Sequence, residues 1–133
     1  MRRVVIDTNV VVSGLLFGGR PGEIVVQWQK RRILPLCSEP IVNEYVRVLA
    51  YPRFQLSTEE IRGLLYHEIL PYFEAVPNET GEPYVLDDPE DDKFLWCALS
   101  GKADAIISGD AHLLALPDPP VPILSVQAFL KAL

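Results

Sequence analysis

Val4-Val5-Ile6, followed at once by Asp7, Thr8 and Asn9, narrows the fold of this chain more than any other stretch. A β-branched run with no polar alternation is apolar on both faces and reads as a buried strand of a parallel sheet. Asp7 then stands at the strand's carboxyl end, the side on which open α/β sheets place their ligands. Three other places in the chain put acids at comparable positions, and they are expected to converge on Asp7 to hold a divalent metal.

Taken in order, the chain alternates strand and helix signals. Gly14 to Gly22 holds four glycines and Pro21, which marks a loop. A helix is expected from about Pro21, with Ile24, Val25 and Trp28 facing inward and Lys30-Arg31-Arg32 closing its last turn, where cations complement the helix dipole. Ile33 to Cys37 is a second strand. Ser38 reads as the N-cap of a helix from about Glu39 to Ala50, with Pro40 in its first turn and Pro52 as its stop. The apolar arc of that helix is Ile41, Tyr45, Val48 and Leu49. Glu44 falls on the edge of this arc, so it faces the protein and needs a partner. Ser57 with Glu60 three residues on forms a capping box for a helix reaching about Leu70, with Ile61, Leu64, Leu65 and Ile69 inward.

A brief third strand is expected around Phe73 to Val76, then a polar loop from Pro77 to Pro83. The stretch Asp87-Asp88-Pro89-Glu90-Asp91-Asp92 opens a helix near Pro89, with Asp88 as its cap. Positions 91, 94, 95, 98 and 99 form one helical stripe, so Asp91 heads the inward face and Asp92 sits about 100° away. Asp91 is therefore preferred over Asp92 as the functional carboxylate. Gly101 closes the helix, and Ala103 to Ser108 is a fourth strand ending in Ser108-Gly109-Asp110. A short helix through Leu113 to Leu116, a fifth strand from Val121 to Leu124, and a helix from Val126 to Leu133 capped by Ser125 complete the chain. No internal repeat or linker is visible, and residues 1–133 read as a single α/β domain with a parallel sheet.

Composition excludes some classes. The 12 Lys and Arg against 18 Asp and Glu give a formal net charge of −6, the wrong sign for a general electrostatic pull on nucleic acid. Cys37 and Cys97 have no CxxC spacing and read as reduced, packed thiols of a cytoplasmic protein. Asp7 and Asn9 interrupt what could pass for a signal peptide, and no stretch approaches the ~18 apolar residues of a membrane span.

Asp7, Glu44, Asp91 (or Asp92) and Asp110 are all hard oxygen donors, which suits Mg²⁺ or Mn²⁺ rather than Zn²⁺. Without a cation, carboxylates crowded in one cleft repel each other and some take up protons. Such a set is equipment for phosphodiester hydrolysis. Thr8, Asn9, Ser13 and Ser108 are small and hydrogen-bonding, fit to orient the acids. With only His67 and His112, no Ser-His-Asp set fits, and Gly18-Gly19-Arg20-Pro21-Gly22 lacks the Gly-Lys-[Ser/Thr] ending of a Walker loop.

These residues match a known pattern. Val5-Ile6-Asp7-Thr8-Asn9 through Leu16, Ser38-Glu39-Pro40 to Glu44-Tyr45 with Val48-Leu49, Asp88-Pro89-Glu90-Asp91, and Ile107-Ser108-Gly109-Asp110-Ala111-His112-Leu113-Leu114 occur in the order of PIN-domain proteins. The chain resembles most the branch described as toxin components of bacterial and archaeal toxin–antitoxin systems. That resemblance implies a three-layer α/β/α sandwich with a parallel five-stranded sheet, and a Mg²⁺- or Mn²⁺-dependent ribonuclease. It maps the family's acidic quartet onto Asp7, Glu44, Asp91 and Asp110, with Thr8 and Ser108 as polar supports. It also implies an RNA substrate, an antitoxin partner, and a homodimer or higher homo-oligomer. Ser108 stands where many PIN domains carry threonine, and His112 where others carry a further acid. An RNA track is expected among Arg20, Lys30, Arg31, Arg32, Arg53 and Arg62.

Two other readings stay open. One is a phosphohydrolase of the haloacid-dehalogenase type with Asp7 as nucleophile, although that class normally wants an aspartate where Asn9 stands. The other is a non-catalytic module that uses the same fold to hold RNA or a protein.

Overall fold

The computed structural model describes residues 1–133. Five strands, β1 (Arg2–Ile6), β2 (Ile33–Cys37), β3 (Glu74–Ala75), β4 (Ala105–Ile107) and β5 (Ile123–Leu124), form one parallel sheet in the order β3-β2-β1-β4-β5. The helices are α1 (Thr8–Phe17), α2 (Gly19–Gln29), α3 (Glu39–Leu49), α4 (Thr58–Gly63), α5 (Asp92–Ser100), α6 (Ala111–Leu114) and α7 (Val126–Ala132). Val4, Val5 and Ile6 of the central strand are wholly inaccessible, which requires cover on both faces of the sheet. This is the three-layer α/β/α arrangement that the family resemblance implies, built on the parallel sheet expected from the strand pattern. No helix is long and apolar enough to cross a membrane.

One core of 24 buried residues unites the sheet with Ile24 and Trp28 of α2, Ile41 and Tyr45 of α3, Phe94 and Leu95 of α5, and Phe129 of α7. The inward arcs read from periodicity thus hold for α2 and α3, because burial follows the 3.6-residue repeat. In α5 the arc is wider than one stripe. Lys93 and Cys97 are buried along with Phe94, Leu95 and Ala98, whereas Leu99 is exposed. Cys37 and Cys97 are both free and buried.

Several local expectations change. The segment from Gly14 to Gly22 is not a loop: α1 runs through Gly14 and α2 begins at Gly19, with only Gly18 between them. The corner needs glycine at both Gly18 (φ 73°) and Gly19 (φ 64°), a left-handed backbone that side chains disfavour. The basic run Lys30-Arg31-Arg32 lies past the last turn of α2, because Arg31 itself turns left-handed (φ 57°). The capping box of Ser57 and Glu60 forms in both directions, but α4 gives way after Gly63 to a π-helical turn, Leu64–Ile69. Ser38 and Asp88 stand at helix starts without donating or accepting a capping bond. The Ser38 hydroxyl is buried with no hydrogen-bond partner. The helix expected from Pro89 opens as a 3-10 turn, Pro89–Asp91. β4, β5 and α6 are each shorter than their apolar runs.

The chain leaves β1 for β2 on one side and later returns to the other side of β1 as β4, so the direction of winding reverses at β1. Such a switch leaves a crevice at the strands' carboxyl ends. Asp7 and the Ser108-Gly109-Asp110 segment both open onto it.

Candidate active site

Asp7 follows the last residue of β1 and occupies the N-cap position of α1, 5% exposed. Its backbone N–H donates to the Ile107 carbonyl at 2.9 Å, which locks the carboxyl ends of β1 and β4 together. The Ser108 hydroxyl donates to Asp7 Oδ2 at 2.7 Å and accepts from the Asp110 N–H at 2.9 Å. One short relay therefore spans Asp110, Ser108 and Asp7, and fixes the aspartate's rotamer. From α3, the Tyr45 hydroxyl donates to the Ile6 carbonyl at 2.7 Å and anchors the strand from the other side.

Glu44 is held from three directions. The Thr8 hydroxyl donates to its Oε2. The Lys93 ammonium donates to Oε1 at 2.7 Å and to the Glu90 carbonyl at 2.7 Å. Arg47, one turn along α3, reaches Oε1 at 3.4 Å. The Lys93 side chain is only 8% exposed, so its charge is drawn out of water and depends on this carboxylate. Sequence reasoning passed over Lys93. The available signal was its position i+3 from Glu90 in a run of five acids.

Asp91 and Asp92 separate clearly. Asp92 is 3% exposed, and its Oδ1 accepts the backbone N–H groups of Tyr84 (2.9 Å) and Val85 (2.7 Å), pinning the preceding loop. Asp91 is half-buried, accepts no hydrogen bond from the protein, and faces the other acids. Burial, and then repulsion from Asp88, Asp7 and Asp110, push its carboxyl up to about 7. Burial likewise raises Asp7, opposed by the Ser108 hydrogen bond and reinforced by Asp110 and Glu44. Asp110 caps α6 by accepting the His112 N–H at 2.7 Å. The exposed His112 ring lies with Nδ1 3.7 Å from the same carboxylate.

No three His, Cys, Asp or Glu side chains stand close enough in this arrangement to enclose a metal ion. The donor chemistry nonetheless fits a hard divalent cation. Asp7, Asp91 and Asp110 are all-oxygen donors whose mutual repulsion a cation would relieve. Glu44, already neutralised by Lys93, is the least available of the four.

The remaining candidates divide. Asn9 and Ser13 make no hydrogen bond to the acids. They line an adjoining cavity with Phe17, Val48, Arg53 and Phe54. Arg53 is the one member of the expected basic track that lines this cavity. Arg20 and Arg32 line the largest cavity, about 1200 Å³ between α2 and α7, which contains none of the acids. Lys30, Arg31 and Arg32 lead into the start of β2, whose first residue pairs with Arg2 at the amino end of β1, the end away from Asp7. The Arg31 guanidinium lies 5.1 Å from the centre of the Tyr72 ring.

The Asp91 environment makes a pH prediction. A carboxyl raised from 3.8 to about 7 on folding binds its proton more tightly in the folded state. Stability is then highest below pH 4 for this group and falls as pH rises through 4 to 7. The full shift would correspond to roughly 4 kcal/mol, which solvent screening at a half-buried group reduces to about 1–2 kcal/mol. In EDTA at pH 8, Asp91→Asn should therefore melt higher than the parent by ~4–8 °C, and the gap should close near pH 4. An unchanged melting temperature at pH 8 would mean that Asp91 does not face the acids as described.

Comparison with known proteins bears on the family and the fold. Residues 3–112 match the sequence model of the PIN domain. The chain is similar in structure to FitAcB from Neisseria gonorrhoeae, with a TM-score of 0.61 over 93% of this chain and 98% of that chain. At 17% identity that likeness concerns the fold alone. No curated protein matches the chain by sequence.

Proposed function

Because the chain belongs to the PIN domain family, we propose that it is a Mg²⁺- or Mn²⁺-dependent endoribonuclease, the toxin of a toxin–antitoxin pair. PIN domains are typically nucleases that use divalent metals. The observation that supports the reading is that Asp7, Asp91 and Asp110 lie within each other's electrostatic reach around the carboxyl ends of β1 and β4: Asp110 raises the Asp7 carboxyl, and Asp7 and Asp110 both raise that of Asp91. Asp7, Asp91 and Asp110 would hold the ion, with Glu44 as a further contact.

A divalent ion bound there would polarise a phosphodiester and lower the pKa of an attacking water. The chain's own groups do the positioning. Ser108 holds Asp7 in one rotamer and takes the Asp110 N–H, so the two acids keep a fixed separation. Thr8 and Lys93 hold Glu44 from opposite oxygens. Lys93 also places a positive charge at the inner wall of the cleft, where it offsets the acids as a phosphate enters. The antitoxin partner and the self-association rest on the sequence resemblance alone.

The direct test offers end-labelled single-stranded RNA, matched DNA and a small aryl phosphate, each with Mn²⁺, Mg²⁺ or EDTA. Internal cleavage of RNA that needs the metal is the expected result. Release of phosphate from the aryl ester with RNA left intact would replace this reading with a phosphohydrolase. In a bacterial host, expression of the chain should arrest growth, and growth indistinguishable from that of an Asp7→Asn strain would remove the toxin assignment.

A further inference from the structure

Beside the acids lies a cavity of about 450 Å³ that the proposed chemistry does not use. Its walls are Asn9, Ser13 and Phe17 of α1, Val48 of α3, and Arg53 and Phe54 of the 3-10 turn Pro52–Phe54. Phe17 is 70% exposed, so one face of its ring is free to meet a ligand. The Phe17 and Phe54 rings stand 5.9 Å apart at 52°, a tilted aromatic pair along one wall of the cavity. The Arg53 guanidinium lies 4.9 Å from the Phe54 ring centre and 5.3 Å from that of Tyr51, within cation–π reach of both rings. Asn9 and Ser13 add amide and hydroxyl groups left without a protein partner.

The position of this cavity narrows what it could bind. Asn9 is two residues past Asp7, and Val48 lies one turn of α3 (about 5.4 Å along the axis) beyond Glu44. Whatever fills the cavity is therefore adjacent to a group reacting at the acids. Aromatic faces, a guanidinium and free polar groups match an unpaired base, which stacks on rings and guanidinium planes and offers its edge for hydrogen bonds. A paired base cannot enter, because its faces and its edge are already taken.

Resting on the nuclease reading, we propose that this cavity seats one unstacked nucleobase of single-stranded RNA, next to the phosphate to be cut. Phe17 and Phe54 form the stacking wall, Arg53 covers the base from the turn, and Asn9 and Ser13 meet its edge. The net charge of −6 then ceases to conflict with an RNA substrate. Stacking does not depend on an overall positive field, and Arg53 and Arg47 supply positive charge locally.

The test measures binding of a fluorescent single-stranded RNA in low salt with EDTA, so that no cutting occurs. A second oligomer is identical except for abasic positions. Phe17→Ala should weaken binding of the normal RNA about tenfold, the scale of one base–aromatic stack. It should leave the abasic RNA unaffected, and Phe17→Tyr should restore the parent affinity. Because Phe17 is mostly exposed, the alanine variant keeps its fold, and Phe54→Ala serves as a second reading. Equal affinity of parent and Phe17→Ala for the normal RNA would overturn the base seat. So would sedimentation showing that Phe17→Ala only separates two copies of the chain. The two readings fail separately: base-dependent binding without metal-dependent cutting removes the nuclease, whereas cutting that ignores Phe17 removes only the seat.

Discussion

Asp7→Asn is expected to lower metal-dependent RNA cleavage by at least ~10³-fold while leaving the protein folded and no less stable. The loss follows from position. Asp7 is the acid that both strand ends fix in place, through Ile107 to its backbone and Ser108 to its side chain. Polarisation of phosphate by a metal is worth several kcal/mol, and each 1.36 kcal/mol is tenfold in rate. Asparagine keeps the shape and still accepts the Ser108 hydroxyl, but it gives up the charge that holds a cation. The stability half has its own sign. Burial raises the Asp7 carboxyl, so the ionised form costs the folded state at neutral pH. In EDTA the variant should melt at or above the parent temperature. Equal cleavage by the two proteins would sink the role of Asp7, and a variant that unfolds would show that Asp7 holds the fold instead.

The largest stability effect should come from a residue with no side chain. A Cβ at Gly14 would lie 2.6 Å from the Pro21 carbonyl oxygen and 2.7 Å from Val25 Cγ2. A backbone carbonyl cannot rotate away, so α1 and α2 would have to separate. Overpacking of this kind costs about 1–3 kcal/mol and occasionally more. Gly14→Val, which adds a branched side chain, should reach ~4 kcal/mol, or a fall in melting temperature of ~12 °C or more. Gly63 in α4 is the contrast. Its added Cβ would meet only His67, at 4.0 Å, and Gly63→Ala should stabilise by about 0.5–1 kcal/mol through helix propensity alone. Urea melts of the two variants should therefore move in opposite directions. A Gly14→Val protein as stable as the parent would mean that the helix pair is not so tightly apposed.

That glycine also shows how local signals mislead. Four glycines and a proline in nine residues resemble a loop by composition, because glycine is usually placed for its backbone freedom. Only Gly18 and Gly19 use that freedom here. Gly14 is present for close approach, a requirement set by Pro21 and Val25 of α2, seven and eleven residues further on. Asp91 and Asp92 show a second limit of local signals. The angular argument assumed an α-helix from Pro89, and the segment is a 3-10 turn. Asp91 still faces the acids, and Asp92 is turned to the Tyr84 and Val85 amides. Both aspartates are engaged, and a stripe of apolar residues could not tell a carboxylate that faces a cleft from one that pins a loop.

Sequence alone determined the strand that carries Asp7, the alternation that makes the sheet parallel, the inward arcs of α2 and α3, and the placing of acids at strand and helix starts. Each of these is a local periodicity, and burial on a regular element repeats with that element's own geometry. Tertiary structure alone decided the pairings between distant residues: Ser108 with Asp7 across 101 positions, Lys93 with Glu44 across 49, and Arg53 brought beside Asn9. A carboxylate's charge state depends on the distance to its neighbours and to water, and no periodicity encodes that distance. The same aspartate that sequence places at the end of a strand becomes a candidate reaction centre only where the fold crowds other acids against it.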